Sequence, residues 1–248
     1  MSEVLLVTGG SRGIGAATAV LAARKGYAVA VNYTRAAAAA EAVVRTIREA
    51  GGSAIAVQAD VADEQQVLRM FGQVDEQLGR LTGLVNNAGI VDRSARVDEM
   101  SVDRLKRMFD INVIGSFVCA REAVKRMSTR HGGRGGAIVN VSSAASRLGA
   151  PGQYVDYAAT KGAIDVLTIG LAKEVGAEGI RVNAVRPGLI ETEIHASGGL
   201  PNRVRELAHQ VPMARGGTAE EVAEAIVWLL SPAASYTTMS LLEVSGGR

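Results

Sequence analysis

The 248-residue chain has little of what marks the specialised protein classes. Its one cysteine, Cys119, cannot form an internal disulfide. Neither sign of charge dominates: 27 Lys and Arg face 25 Asp and Glu, a net charge of +2, which supplies no broad basic surface for a phosphate backbone. Nucleic acid is therefore not an expected partner. Apolar residues make up 48% of the chain but occur in short runs broken by Gly, Arg and Asp, well short of the roughly 20 consecutive apolar residues that span a bilayer. No membrane association is expected. The chain opens Met1-Ser2-Glu3 and passes at once into Val4-Leu5-Leu6-Val7, with no basic stretch or cleavage pattern, so the cytoplasm is the expected location. Internal repeats and linker-like shifts in composition are also missing, and residues 1–248 are read as one domain, a length that suits a single α/β unit.

What is present is alternation. Short β-branched runs at 4–8, 28–33, 54–60, 84–87, 137–143, 181–186 and 241–244 alternate with longer helix-patterned stretches. This predicts an α/β fold, a three-layer, doubly wound parallel sheet of about seven strands with crossover helices. Gly26 and the pair Gly51-Gly52 stand where a helix C-terminus needs the left-handed conformation, and Thr218 with Glu221 reads as a capping box. The run from Ala36 to Ala40 reads as the first turns of a helix, since Ala is the best helix former. His131-Gly132-Gly133-Arg134-Gly135-Gly136 reads as a solvated turn.

The first strand ends in Thr8-Gly9-Gly10-Ser11-Arg12-Gly13-Ile14-Gly15 and enters an Ala-rich helix. A turn without Cβ atoms lets the backbone approach a phosphate, and the free N–H groups of the helix start, with the helix dipole, favour its charge. Placed between a strand and a helix in the first βαβ unit, the glycines read as a dinucleotide-binding turn. The same residues spell Gly9-x-Ser11-x-Gly13, formally the nucleophile elbow of a serine hydrolase, with His195 or His209 as base. Only one strand precedes Ser11, however, which leaves no earlier strand loop for an oxyanion hole. At the end of the second strand, Val31-Asn32-Tyr33-Thr34-Arg35, the acid that would accept from a ribose diol is missing, while Arg12 and Arg35 bring two guanidinium groups to that corner. NADP(H) is expected, NAD(H) less so.

Tyr157 and Lys161 stand four apart before an apolar helical pattern and so share one helix face. A phenol's ordinary pKa lies near ~10, and a neighbouring ammonium favours the phenolate and lowers it. Tyr27, Tyr33, Tyr154 and Tyr236 have no lysine at that spacing. The preceding strand ends in Ser142-Ser143 at the edge where such sheets bind ligands; Ser143 is the candidate to hold a substrate oxygen, with Ser142 as the alternative. Asn86-Asn87-Ala88-Gly89 ends the fourth strand, and Asn112, a poor mid-helix residue in an apolar pattern, suggests a buried hydrogen bond. No metal-ligating set is read.

Taken together, Thr8-Gly9-x-x-x-Gly13-x-Gly15, Asn86-Asn87-Ala88-Gly89, Asn112, Ser143, Tyr157-x-x-x-Lys161 and Pro187-Gly188 with Thr192 resemble the short-chain dehydrogenases/reductases in order and spacing over essentially the whole chain. Among their subgroups the 3-oxoacyl-carrier-protein reductases and glucose 1-dehydrogenase-like members are similar. The resemblance implies a ketone and secondary-alcohol oxidoreductase with Tyr157 as general acid and base, Ser143 positioning the carbonyl, Lys161 also holding the nicotinamide ribose and Asn112 anchoring a water in the proton relay. It also implies that Ser11, Arg12, Ile14, Asp60, Val61, Asn87, Ala88, Gly89, Pro187, Gly188, Ile190 and Thr192 contact the cofactor. The chain departs from the family at Met239, where relatives often have Gly, at Ser245, where they often have Asp, and at Glu178, where the carrier-protein reductases have a basic docking residue. A nicotinamide-binding regulatory protein without turnover is the competing reading, and intact Tyr157 and Lys161 speak against it.

Two further expectations concern assembly and access. The helical stretches 102–127 and 157–175 carry more apolar residues than one sheet face needs, which with the resemblance points to a homotetramer. The segment 193–215, with Gly198-Gly199 able to hinge, reads as a substrate lid in which Ile194, Leu200, Leu207 and Met213 cover the site while Arg203, Arg205 and His209 face solvent, the alternative being that one of these three contacts an anionic substrate; Ala145, Arg147 and Tyr154 would be the fixed walls.

Overall fold

In the computed structural model, which describes residues 3–248 and only the backbone of His195, the strand β1 (Val4–Val7) is buried along its whole length. Successive side chains of a strand point to opposite faces: Val4 and Leu6 enter one layer, Leu5 and Val7 the other. The strands β2 (Ala28–Tyr33), β3 (Ala54–Gln58), β4 (Gly83–Asn86), β5 (Gly136–Val141), β6 (Ile180–Pro187) and β7 (Leu241–Val244) join it in one parallel sheet of order β3-β2-β1-β4-β5-β6-β7. The order reverses between β1 and β4, the place where such sheets open a crevice beyond their C-terminal edge.

The helices are α1 (Gly13–Arg24), α2 (Ala37–Glu49), α3 (Glu64–Gln77), α4 (Val102–Phe109), α5 (Gly115–Met127), α6 (Ala145–Leu148), α7 (Val155–Val175), α8 (Ile194–Ser197), α9 (Arg203–Leu207) and α10 (Ala219–Leu230). One core layer joins Ala19 and Ala22 of α1, Val44 and Ile47 of α2 and Ile226 of α10 to Val29, Val85 and Val139. The other joins Met70 and Phe71 of α3, Cys119 of α5 and Ala172 of α7 to Ala30, Leu84 and Ile138. Each fully buried large side chain contributes about 1.5–3 kcal/mol. Among the described residues no helix is long and apolar enough to cross a membrane, and no cluster of three or more His, Cys, Asp or Glu is placed to hold a metal ion.

The expected strands are all present, yet four run on past the observed ends. Thr8, Asn87, Ser142 and Ser143 lie beyond the last ladder residues and hydrogen-bond through their side chains instead. Gly26 and Gly51 take the left-handed conformation, at φ +92° and +82°, whereas Gly52 does not. The capping box forms: the Thr218 hydroxyl accepts from the Glu221 N–H at 3.2 Å and the Glu221 carboxylate accepts from the Thr218 N–H at 2.8 Å. The turn at 131–136 exposes His131, Gly132 and Arg134 as expected, while Gly135 is buried against the Gly179 carbonyl and the half-buried Gly133 packs against that of Met127.

Met239 stands at φ +64°, in the left-handed region that penalises a Cβ, and its N–H donates to the Val182 carbonyl at 2.7 Å. With 43% of its surface exposed, Met239 gains little from burial. Met239→Gly is expected to stabilise the fold by about 1 kcal/mol, read as a shift of the urea midpoint at unchanged slope; a loss of stability would show that the side chain holds β7 in place.

Candidate active site

Three helices close their first turns with a side chain: Asp63 caps α3, Ser101 caps α4 and Thr218 caps α10. The helix α1 has no side-chain cap and no acid in its first turn. Its orphan N–H groups face the crevice at the β1–β4 switch point, with Ser11, Arg12, Gly13 and Ile14 on the wall. Gly13 holds φ +52°. A Cβ on Gly15 would lie 2.5 Å from the Gly9 carbonyl oxygen and 2.6 Å from the Asn87 amide nitrogen, so this glycine permits the turn to fold on itself and stands behind the wall. The turn is braced from both sides. Asn32 accepts from the Gly9 N–H at 3.0 Å and donates to the Ala59 carbonyl at 3.0 Å, and Asn87 donates to the carbonyls of Thr8 at 2.8 Å and Gly9 at 3.0 Å.

On the far side of the crevice, α7 starts at Val155, and Tyr157 and Lys161 project from it toward the end of β5. The Lys161 ammonium is buried, donates to the Val141 carbonyl at 2.7 Å and lies 5.5 Å from the centre of the Tyr157 ring. Burial pulls its pKa down to about 8, against the opposing charge of Asp165. The Ser143 hydroxyl lies within hydrogen-bonding reach of the Tyr157 phenol and accepts from the Ala145 N–H at 3.1 Å. Ser142, the alternative, is committed elsewhere: its buried hydroxyl donates to Asp165 at 2.6 Å. The Tyr157 pKa stands above the ordinary phenol value because burial outweighs the help of Ser143. The expected lowering by Lys161 is therefore not met in this structure.

Asn112 falls in a π-helical turn, Asp110–Ile114, inserted between α4 and α5, the kind of bulge that often accompanies functional sites. Its amide is buried, accepts from the Ile90 N–H at 2.8 Å, and donates to the Ile90 carbonyl at 3.0 Å and to the Thr160 hydroxyl at 3.2 Å. The two stretches meet at Gly89, where an added Cβ would sit 3.4 Å from the Asn112 oxygen and 3.6 Å from the Lys161 ammonium.

A continuous cleft of about 1310 Å³ runs from the glycine turn to Tyr157, and every predicted site residue except Gly15 and Asn112 lines it. Arg12 and Arg35 flank the end by Asp60 and Val61; Pro187, Gly188, Ile190 and Thr192 form one side of the middle. Ser11 has no hydrogen bond to a histidine among the described residues, and His209 is exposed. The side chain of His195 lies outside them.

A family profile described as Enoyl-(Acyl carrier protein) reductase matches residues 9–248. A solved short-chain dehydrogenase/reductase from Serratia marcescens BCRC 10948 superposes with a TM-score of 0.91 at 36% identity, over 99% of this chain and 97% of that one. The chain belongs to the short-chain dehydrogenase/reductase family. Similar curated relatives include the uncharacterized oxidoreductase YgfF of Escherichia coli, 58% identical over 245 residues and 99% of both chains. The 3-oxoacyl-[acyl-carrier-protein] reductase FabG of Staphylococcus aureus (strain Mu50 / ATCC 700699) is 40% identical over 248 residues, covering 100% of this chain and 98% of its own.

This short-chain dehydrogenase/reductase departs from several expectations at the open end of its cleft. Ile194 and Leu207 line the cleft, but Leu200 and Met213 do not; Met213 is 59% exposed and its N–H donates to the Gly246 carbonyl. Arg203, expected in solvent, lines the cleft with its guanidinium 5.4 Å from the centre of the Tyr154 ring. Arg147, expected as a wall, turns away and donates to the main-chain oxygen of Arg248 at 2.6 Å. That contact brings Arg248 to the cleft, a residue that nothing in the local sequence singles out.

The depressed lysine has a consequence for stability. Between pH 8 and the ordinary lysine value, the unfolded chain holds a proton that the folded chain has released, so Lys161 makes stability rise with pH through that window. The rise totals about 3 kcal/mol. The stability difference between the native enzyme and Lys161→Met, followed by urea unfolding from pH 7.5 to ~10.5, is expected to change by that amount in favour of the native enzyme. A difference that stays constant with pH would mean that Lys161 titrates as it does in water.

Proposed function

We propose that this oxidoreductase interconverts a ketone and a secondary alcohol with NADP(H), using Tyr157 as general acid and base. The observation that carries the reading is one cleft with an uncapped helix start and two arginines at one end, and Tyr157, Ser143 and Lys161 converging at the other. The glycine turn fits a pyrophosphate, since the first N–H groups of α1 have no side-chain cap and Gly9, Gly10, Gly13 and Gly15 carry no Cβ atom. Arg12 and Arg35 fit a 2′-phosphate better than a free ribose diol, no acid standing at the end of β2. When bound, the cofactor supplies hydride transfer between its nicotinamide ring and the substrate carbon.

The residues of the chain do the rest. Ser143 donates to the substrate oxygen and orients it toward the phenol. Tyr157 gives that oxygen its proton in reduction and takes it back in oxidation. Lys161 would hold the nicotinamide ribose and places its ammonium 5.5 Å from the centre of the tyrosine ring, while Asn112 fixes the chain at Ile90 and would anchor a water of the proton relay. Because burial keeps Tyr157 protonated, the neutral phenol at physiological pH is the form that reduces a ketone, and alcohol oxidation gains as pH rises.

Residues 1–248 act as one domain with a mobile cover over 193–215, in which Ile194 and Leu207 shield the reacting atoms from water. The chain works in the cytoplasm as a homotetramer. Ile114, Phe117 and Val166, exposed by 51%, 49% and 69%, are the apolar surface on α5, α7 and the turn before α5 that supports assembly.

Two measurements test the reading. Calorimetric titration is expected to give NADPH tighter binding than NADH by about ten-fold or more, and Arg35→Gln to narrow that ratio; tighter binding of NADH would overturn the assignment. Tyr157→Phe is expected to lower kcat for ketone reduction by about 100-fold or more while leaving NADPH affinity nearly unchanged. Normal turnover in that variant would remove Tyr157 as the proton donor.

A further inference from the structure

The open end of the cleft holds two guanidinium groups that no Asp or Glu side chain among the described residues pairs with. Arg203 is the first residue of α9, half-buried and stacked on Tyr154. Arg248 is also half-buried and lies beyond β7, where its main-chain oxygen accepts from Arg147 at 2.6 Å and from the Ser245 hydroxyl at 3.0 Å. Neither guanidinium has a carboxylate partner among the described residues, unlike Arg104, which pairs with Asp156, or Arg107, which pairs with Asp92. The acids that line the cleft are occupied or distant. Asp92 is held by Arg107, Asp60 accepts from the Ala62 N–H, and the Glu193 carboxylate lies on the glycine-turn side, 3.9 Å from where a Cβ on Gly13 would be. Tyr154 is no counter-ion, since its phenol is neutral at physiological pH and donates to the Gly198 carbonyl at 3.3 Å.

Arg203 and Arg248 both line this cleft, and two like charges partly out of water in one cleft are unfavourable unless something of opposite sign joins them. Burial and the neighbouring charge of Arg203 both push the Arg248 pKa below the usual guanidinium value. The positions are built: stacking fixes Arg203, and Arg147 and Ser245 pin the backbone of Arg248. The cleft that they share with Tyr157 also carries the apolar side chains of Leu148, Pro151, Ile194 and Leu207.

We propose that the substrate is a ketone bearing an anionic group, a carboxylate or a phosphate, whose charge sits between Arg203 and Arg248 while its carbonyl faces Ser143 and Tyr157. The proposal rests on the reductase reading of the same cleft and adds the substrate class. Guanidinium matches both anions through paired hydrogen bonds, so the two are separated by experiment.

The test compares matched ketones in an NADPH-consumption assay: 4-oxopentanoate against its methyl ester, and dihydroxyacetone phosphate against dihydroxyacetone. In at least one pair the native enzyme is expected to favour the anion by about ten-fold or more in kcat/KM, the gain lying in KM, and the pair that shows it names the anion. Arg203→Gln and Arg248→Gln are each expected to bring that ratio within about two-fold of one, Arg203→Lys to keep part of it, and Arg205→Gln, on the exposed side of α9, to keep it whole. A ratio near one in the native enzyme, or one that survives in both glutamine variants, overturns the proposal. Calorimetric titration with 4-oxopentanoate and with inorganic phosphate reads the site without turnover. Binding that both glutamine variants abolish supports the anion site even if no ketone is reduced, in which case the reductase reading is what fails; no binding of either probe overturns the site.

Discussion

Where a parallel ladder ends, its last carbonyls and amides lose their partners, and in a buried position they must find others. This constraint shapes the whole C-terminal edge of the sheet. The Thr8 hydroxyl donates to the Val85 carbonyl and accepts from the N–H groups of Asn87 and Ala88; Asn32 and Asn87 tie the glycine turn to β2 and β4; Lys161 takes the Val141 carbonyl. Together these side chains satisfy the ends of β1, β4 and β5 and brace the walls of the cleft. The pocket exists because the sheet edge is satisfied by side chains that leave the groove open.

The same economy extends into a chain of charges. Asp165, one helical turn beyond Lys161, accepts from Ser142 at 2.6 Å and from Arg186 at 2.8 Å, and Arg186 reaches Glu243 at 3.2 Å. Helix α7, β5, β6 and β7 are thereby joined by polar contacts beneath the site. Because Asp165 is already shared by two donors, it only partly offsets the burial of Lys161, which leaves the lysine near pH 8 and its charge responsive to what enters the cleft.

The open end of the cleft follows a different logic. Arg203, Tyr154 and Arg248 come from α9, the start of α7 and the region past β7, and meet through a ring contact and the hold of Arg147 on the tail. This corner has no hydrophobic core of its own. It is the part of the molecule where substitutions can change what is bound without disturbing the two packed layers.

By itself the sequence determined the layers and several local placements: strands of period two such as Val4–Val7, the glycine turn after β1, the Thr218 cap, and the pairing of Tyr157 with Lys161 on one helix face. These are short-range features, set by backbone sterics and side-chain spacing within a few residues, and so they can be read along the chain. The burial of Asn112 was legible too, since its helix-unfriendly amide demanded a partner, but not that Ile90 and Thr160 would be those partners. Only the tertiary structure decided that Asn87 braces the turn, that Ser142 turns inward while Ser143 faces Tyr157, that Arg203 folds onto Tyr154, and that Arg147 leaves the wall to anchor Arg248. It also decided the sign of the Tyr157 shift. Desolvation and contacts between residues far apart in the chain depend on how completely the layers close, and no local pattern records that.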